Sequence, residues 1–459
     1  MNAWRVGVYG RFAAAAARHA VDEFRVIGSV WSPPIWMKGQ ERGFADDPQF
    51  QADWVDGRAV PRLDAAGNPV PKLPFLRETN VVGGSLVDTP ENRAEFGRFV
   101  AGYARAFEDE WGVEIDAVSL GNEPRLSTFY GSTVYSPGVY AKTLVALREQ
   151  LDAAGLGTQI FGPETVGTGS VDDPGTFWQT MKFVDAIRDT PGALDALDAW
   201  AVHGYDASGV GAGGSGEMWR QLIRGRGPAD NLKPDGTPDW RGYVYTNADD
   251  TLYGPEEGLT RREGLAVDGL PVWMTEASGQ ADVWHSDDPA DAGGALGLAT
   301  TVHHALVDGN VSAYVYWLFG DDSPGLSPSQ SVDGTDPRGP NFNALKHWFR
   351  HIRPGAVRVG LGGAEAATAG GLLASAFAHD AHGTLTLVLL NKAPEAQELE
   401  LDLSGLADPP ALTRFASDAR VRFERGADLR PDAGGVLRLT LGPRSLTTLV
   451  SAGAVAGGR

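Results

Sequence analysis

The sequence of 459 residues contains no cysteine, and this absence excludes several kinds of chemistry. Disulfide bridges, cysteine nucleophiles and metal sites with thiolate ligands all need that side chain. The sequence also lacks any apolar run that approaches the roughly 20 residues of a membrane-spanning helix. The segment from Met1 to Ala20 lacks the apolar core of a secretory signal peptide. Because a cysteine-free protein suits the cytoplasm and the exterior equally, the sequence does not indicate a compartment.

Positive charge is scarce as well. The 39 lysines and arginines are outnumbered by 59 aspartates and glutamates, which gives a net charge of −20 at pH 7. A chain of this sign repels phosphate backbones, so nucleic acid is not expected as a partner. The sequence shows no glycine-rich phosphate fingerprint and no serine–histidine–aspartate elbow. We therefore expect a globular protein with a neutral ligand and without a cofactor.

Short apolar runs alternate with helical patterns over most of the chain that precedes Pro354. Each run is continuous, as expected for strands that helices cover, and the alternation is typical of βαβ units around a parallel sheet. Thr89-Pro90 and Ser136-Pro137 show the N-cap and first-turn proline with which helices begin. The runs lie at residues 25–30, 115–120, 159–161, 199–203, 271–274 and 311–317. This pattern predicts a (β/α)8 barrel over residues 1–353.

From about residue 354 the pattern changes to short β-rich runs separated by turns of Gly, Asp and Pro. Residues 398–403, Glu-Leu-Glu-Leu-Asp-Leu, alternate strictly between charged and apolar side chains. Strict alternation indicates strands with one face in water, which is typical of antiparallel sheets. We therefore predict an antiparallel β-sandwich over residues 354–459.

The number of strands is too small for a complete barrel. A barrel of this class needs eight strands, but six runs are visible, and the first of them already begins at Arg25. Residues 4–9 can supply one more strand, followed by a helix at residues 13–19. We therefore expect a barrel without its first strand, in a chain that starts late through a misassigned start or a truncated gene.

Two glutamates, Glu123 and Glu276, end two of the predicted strands. The carboxyl ends of barrel strands line the mouth in which active sites lie. Glycoside hydrolysis needs a proton donor on one side of the bond and a nucleophile or base on the other, and two carboxyl groups can supply both. A single glutamate at a strand end is more often a structural ion-pair partner. Two of them, on separate strands, favour a catalytic pair.

Five motifs lie at or near the ends of the predicted elements. They are Trp31-Ser-Pro-Pro-Ile-Trp-Met-Lys38, Asn122-Glu123-Pro124, Trp273-Met-Thr-Glu276, His351-Ile-Arg-Pro-Gly355 and Ser445-Leu-Thr-Thr448. In these motifs the chain resembles glycoside hydrolase family 30, a group of retaining barrel enzymes with a fused β-sandwich, from about residue 25 to residue 450. The resemblance implies that Glu123 is the general acid and then the general base. It implies that Glu276 is the nucleophile and that Asn122 bonds the 2-hydroxyl of the sugar.

Further side chains are expected to contact the substrate. Tyr205, two residues after His203, is a candidate to orient Glu276, and its alternative is a rim aromatic without a role. Trp317 is expected to stack on a sugar ring, although a place in the barrel core is the alternative. Trp31 and Trp36 are further platform candidates, and for Trp36 packing against the loop prolines is the favoured alternative.

The family carries an arginine on its second strand, and Arg5 is the only residue that can stand in for it. The segment 204–262 is expected either to shape the cleft or to be a solvated insertion. We expect no metal site. His303 and His304 are adjacent on a helical pattern, so they point about 100° apart.

Two functions follow as hypotheses. The first is a retaining β-glycosidase that acts as a monomer on a carbohydrate such as xylan, glucuronoxylan, a β-1,6-glucan or galactan, or glucosylceramide. The second is a carbohydrate-binding barrel that has lost its activity. The acidic composition disfavours a glucuronate-decorated polymer. Members of the family are usually secreted.

Overall fold

The computed structural model describes most of the chain. The described ranges are 3–20, 23–39, 52–55, 58–61, 85–124, 131–167, 175–205, 216–224, 263–317, 339–406 and 409–451. Within them, no helix has the length and apolar character needed to cross a membrane.

A curled sheet of six parallel strands forms the centre of the N-terminal part of the molecule. The strands follow one another in chain order, and each pairs with its sequence neighbours. All six lie at the predicted runs, so the prediction of a parallel barrel sheet is confirmed, and within the described ranges this sheet has six strands rather than the eight of a complete barrel. The strands are Ile27–Ser29, Ala117–Ser119, Gln159–Gly167, Ala199–Tyr205, Val272–Ala277 and Ala313–Tyr316.

Helices cover the outer face of this sheet. Pro90–Trp111 and Pro137–Ala153 begin where predicted, because the hydroxyls of Thr89 and Ser136 accept backbone N–H groups of the first turn. Further α-helices in the described ranges are Gly175–Asp189, Gly216–Arg224, Gly294–Val307 and Pro340–Phe349. The helix Ala364–Ala369 packs instead on the C-terminal strand Leu372–His379. Short 3₁₀ helices lie at Ile35–Met37, Leu265–Asp268, Pro289–Asp291 and Asp380–His382.

The inner face of the sheet carries small side chains. Ala117, Ala199 and Ala201 are fully buried there with Phe161, and Trp273 packs against this group. The ring centroids of Phe161 and Trp273 are 5.4 Å apart. Two large rings thus fill the space that the alanines leave, and the interior beneath the carboxyl ends of the strands is a packed floor.

The N-terminal segment differs from the prediction. Residues 4–9 lie in the helix Ala3–His19 rather than in a strand, and only the helix expected at residues 13–19 is right. The run of alanines explains the difference, since alanine has the highest helix propensity. Arg5 therefore lies in a helix and not on a barrel strand, contrary to the part expected of it. In the described ranges, two small antiparallel pairs accompany the barrel: Lys38–Gly39 with Ser85–Leu86, and Ala52–Val55 with Arg58–Pro61.

Antiparallel strands form the C-terminal part, as predicted. One sheet contains Val357–Val359, Leu372–His379, Thr384–Asn391, Ser445–Ser451, Leu412–Ser417 and Glu424–Leu429, in that spatial order. The second pairs Gln397–Asp402 with Val436–Leu441. Leucines on the second sheet share one apolar core with leucines of the first. A β-sandwich results, and the boundary between residues 353 and 354 stays a prediction.

One apolar cluster joins the two parts of the molecule. Trp284 and Trp348 from the barrel side pack with Phe377 and Val388 of the sandwich. The indole N–H of Trp284 also donates to the carbonyl of Arg444, at 2.7 Å. The sandwich therefore packs directly on the segment that follows the Val272–Ala277 strand.

Candidate active site

The two predicted glutamates come together at the carboxyl ends of the parallel strands. One carboxylate oxygen of Glu123, one of Glu276 and one ring nitrogen of His203 all lie within 4.8 Å of one another. Glu123 is 7% exposed, and the side chain of Glu276 is 12% exposed. The distances among these three atoms would also suit a bound cation. However, the Glu123 carboxylate is hydrogen-bonded to His203 and the Glu276 carboxylate to Tyr205.

His203 is buried completely between three carboxylates. Its Nδ1 lies 3.1 Å from Oε1 of Glu123 and 3.9 Å from Oε1 of Glu276, and its Nε2 lies 3.7 Å from Oε1 of Glu164. Burial by itself lowers the pKa of an imidazole, but the charge of Glu276 and the contacts with Glu123 and Glu164 outweigh it and raise the pKa of His203 well above its usual value. These contacts favour the imidazolium over the neutral ring.

Tyr205 contacts the other glutamate. It stands two residues after His203 on the same strand, so both side chains point to one face of the sheet. Its hydroxyl donates to Oε1 of Glu276 at 3.1 Å and lies 3.3 Å from Oγ of Ser278. This hydrogen bond holds the Glu276 carboxylate towards Glu123 and His203.

The environment of Glu276 changes its protonation. Burial, with the charges of Glu123 and Glu164, raises its pKa from 4.5 to about 7, although His203 and the hydrogen bond from Tyr205 act in the opposite direction. Glu276 is therefore ionised above about pH 7 and gains a proton below it. A reaction that needs this carboxylate as an anion is expected to slow as the pH falls through 7.

Tyr205→Phe is expected to move that pH dependence. The variant loses the hydrogen bond that stabilises the Glu276 carboxylate, so the pKa of Glu276 rises and the acidic limb of kcat/KM shifts to higher pH. We expect kcat to fall about 10- to 100-fold, the value of one hydrogen bond to a charged group. Ser278→Ala, which removes the second partner of Tyr205, serves as the control with a smaller effect. An acidic limb that stays in place or moves to lower pH would contradict the role of Tyr205 as the donor that stabilises the Glu276 carboxylate.

The backbone aims Glu123 into the site. Glu123 adopts a left-handed conformation with a φ of 43°, which is unfavourable for any residue other than glycine. Its N–H donates to the carbonyl of Glu164 at 3.1 Å, and the N–H of Asn122 donates to the carbonyl of Val30 at 2.9 Å. These bonds continue the strand pairing past the end of Ala117–Ser119. In the described part of the chain, the buried Oδ1 of Asn122 has no hydrogen-bond partner.

Aromatic side chains lie at the ends of the first and last strands of the sheet. Trp31 and Trp317 stack on each other, with ring centroids 5.3 Å apart and an angle of 29° between the ring planes. Both are half-buried. Trp36 is 73% exposed. Trp31 and Trp317 form one aromatic surface, and Trp36 is separate from that stack.

One residue of the cluster, Glu164, is not among the residues predicted from the sequence. It lies in the strand Gln159–Gly167, which is longer than the predicted run at residues 159–161. Ser29 and Ser119, on the two preceding strands of the sheet, both donate to its carboxylate. The available signal was a third glutamate after a barrel strand, the same signal that identified Glu123. Of the segment 204–262, residues 206–215 and 225–262 lie outside the described residues.

Comparisons with known proteins agree with the fold. No family model matches the chain. A segment of 97 residues, 20% of this chain and 20% of the relative, is 30% identical to glucuronoxylanase XynC of Bacillus subtilis. The match therefore spans a fifth of that protein.

Solved structures match over nearly the whole chain. The catalytic domain of the GH30 xylanase C from Talaromyces cellulolyticus has a TM-score of 0.61 and 19% identity, over 96% of this chain and 78% of that one. A GH30 endoxylanase from Clostridium papyrosolvens C71 has a TM-score of 0.58 and 18% identity, over 98% and 86%. The endo-β-1,6-glucanase BT3312 has a TM-score of 0.54 and 16% identity, over 94% and 72%. The chain thus shares the fold of these structures, two of which are GH30 xylanases, and the predicted fold class is confirmed.

Proposed function

We propose that this chain, which shares the fold of the GH30 structures, hydrolyses β-glycosidic bonds with retention of configuration. The observation that carries the proposal is the short gap between Glu123 and Glu276, whose nearest carboxylate oxygens are within 4.8 Å. Carboxyl groups about 5–5.5 Å apart are typical of retaining enzymes, while inverting enzymes need about 6.5–9.5 Å to admit a water. The activities of the similar proteins, which are xylanases and a β-1,6-glucanase, support a glycan substrate.

The reaction proceeds in two displacements. In the first, the carboxylate of Glu276 attacks the anomeric carbon while protonated Glu123 gives its proton to the leaving oxygen. In the second, Glu123 takes a proton from water, which attacks the same carbon and releases Glu276. Each step inverts the anomeric carbon, so the product keeps the configuration of the substrate.

The other side chains support these two steps. Tyr205 holds the Glu276 carboxylate through its hydroxyl, and His203 lies between the two glutamates. Asn122 is the candidate partner of the sugar 2-hydroxyl, because its buried Oδ1 lacks a partner among the described residues. The stacked pair of Trp31 and Trp317 supplies an apolar surface for a sugar ring.

A panel of polysaccharides tests the proposal. Xylan, glucuronoxylan, β-1,6-glucan and β-1,6-galactan are incubated with the wild type and with Glu276→Gln, and NMR records the first anomer released. We expect β-configured products from the wild type alone, with unsubstituted glycans preferred over glucuronoxylan because the chain is acidic. An α-anomer as first product would contradict retention. Binding without hydrolysis would favour the alternative, a carbohydrate-binding barrel without activity.

The tryptophan pair gives a separate prediction. Trp317→Ala removes one face of the aromatic surface, and we expect KM for an oligosaccharide to rise about tenfold or more, the value of one aromatic contact and its buried area. The effect on kcat should be smaller, because the ring does not contact the reacting atoms. Trp36→Ala, at the exposed tryptophan outside the stack, is the matched comparison. A larger KM effect from Trp36 than from Trp317 would contradict the assigned platform.

A further inference from the structure

Glu164 is a buried carboxylate for which the two-glutamate mechanism has no use. It is 2% exposed and lies in the strand between those that carry Glu123 and His203. A carboxylate is rarely buried unless hydrogen bonds or opposite charge compensate the loss of water. Its position beside the reacting groups therefore requires an explanation in terms of its contacts.

The two oxygens of Glu164 have different partners. Oε2 accepts a hydrogen bond from Ser29 at 2.7 Å and another from Ser119. Oε1 faces Nε2 of His203 at 3.7 Å. Hydroxyls from two neighbouring strands thus fix one oxygen and leave the other towards the imidazole.

Glu164 also contacts the general acid through its backbone. Its carbonyl accepts the N–H of Glu123 at 3.1 Å. Both residues adopt left-handed conformations, with φ of 56° for Glu164 and 43° for Glu123. Such conformations persist only where surrounding contacts impose them. The hydrogen bond between the Glu123 N–H and the Glu164 carbonyl is such a contact, and it joins the two residues. One residue therefore contacts both His203 and the backbone of Glu123.

We propose that Glu164 is a positioning residue, which fixes the ring of His203 and the backbone of Glu123 so that Nδ1–H faces both reacting carboxylates. The inference rests on the proposed glycosidase function. With Nε2 turned to Glu164, the Nδ1–H donates to Oε1 of Glu123, whether or not Glu123 is protonated. The proton that Glu123 exchanges with the leaving oxygen and with water is thereby confined to Oε2.

The charge of Glu164 is part of this arrangement. The described ionisable groups that face His203 are Glu123, Glu164 and Glu276, with Tyr205 on the same strand. Burial, and after it the charge of Glu164, raises the pKa of Tyr140. The contact with Glu164 is one of those that favour the imidazolium over the neutral ring.

The test replaces Glu164 by glutamine, which keeps the size and removes the charge. In wild type, ¹⁵N NMR should show the His203 ring doubly protonated at neutral pH, with its signals identified by their loss in His203→Asn. In Glu164→Gln the ring should lose its proton at a lower pH. We expect kcat to fall about 10- to 100-fold at nearly unchanged KM, because a reacting group is misplaced while the substrate still binds. The alkaline limb of the pH profile should move to lower pH, because His203 loses its proton earlier. Ser119→Ala, which keeps the charge and removes one hydroxyl, should change kcat in the same direction by less.

The outcomes separate this inference from the proposed function. If the wild type hydrolyses glycans and Glu164→Gln keeps its kcat, its pH profile and its imidazolium, the positioning role is overturned and the glycosidase proposal stands. If the wild type hydrolyses nothing, the ¹⁵N titration still decides whether Glu164 controls His203. Should Glu164→Gln fail to fold, a Ser119→Ala variant with wild-type titration and kinetics overturns the role. Glu398→Gln, an exposed glutamate of the sandwich, is the matched control.

Discussion

Glu276→Gln is expected to lower kcat on every glycoside by a factor on the order of 10⁴ or more, because no other group can form the glycosyl-enzyme bond. The amide keeps the size of the side chain and can still accept the hydrogen bond from Tyr205, but it is not a nucleophile. The loss should be equal for natural glycans and for aryl glycosides with good leaving groups. No burst of released phenol should precede the steady state. Activity within tenfold of the wild type would contradict the assignment.

The same variant should be more stable than the wild type at alkaline pH, which controls for misfolding. The folded state raises the pKa of Glu276 from 4.5 to about 7, so it binds this proton more tightly than the unfolded state. Stability therefore falls as the pH rises through this window, and above pH 7 the buried anion costs up to roughly 3 kcal/mol. Glutamine removes that cost. Urea unfolding at pH 5 and pH 9 should show a larger gain at pH 9.

Glu123→Gln is expected to give a loss that depends on the leaving group. Natural glycans need a proton on the departing oxygen, so kcat should fall by about 10² to 10⁴. Aryl glycosides with acidic phenols leave without that proton, and the first step should stay fast. The second step lacks its base, so the glycosyl-enzyme should accumulate and a burst of phenol should appear.

The comparison of the two variants assigns the roles. A burst with Glu123→Gln and none with Glu276→Gln supports the present order, and the reverse pattern would exchange the acid and the nucleophile. Mass spectrometry of the stalled enzyme should find the sugar on Glu276. In Glu123→Gln, equal losses of kcat/KM, which reports the first step, on both substrate classes would contradict Glu123 as the proton donor.

The sequence predicts the strands of this site better than the site itself. The six parallel runs are apolar throughout, and that pattern is enough to identify strands covered by helices. Glu123 and Glu276 follow directly, because both stand at the ends of such runs. The prediction of an N-terminal strand was wrong because alanines fit a helix better than a strand, and the apolar residues among 4–9 suit either structure.

Glu164 shows where sequence patterns stop being informative. Gly162 and Pro163 precede it, and such a pair is usually where a strand ends. The strand nevertheless continues to Gly167. The distances that define the site also depend on the register between strands and on two left-handed backbone positions, Glu123 and Glu164. Neither can be read from one sequence, since both are fixed by contacts between residues far apart in the chain.

The apolar cluster around Trp284 and Trp348 has a consequence for how such proteins are divided and recombined. Trp284 lies eight positions after Glu276, and its ring belongs to the cluster that contains Phe377 of the sandwich. The sandwich therefore packs directly on the segment that follows Glu276 and supports its position. A chimaera that exchanges the sandwich has to carry over the matching partners of Trp284 and Trp348, and a library that diversifies the two halves separately would break this junction.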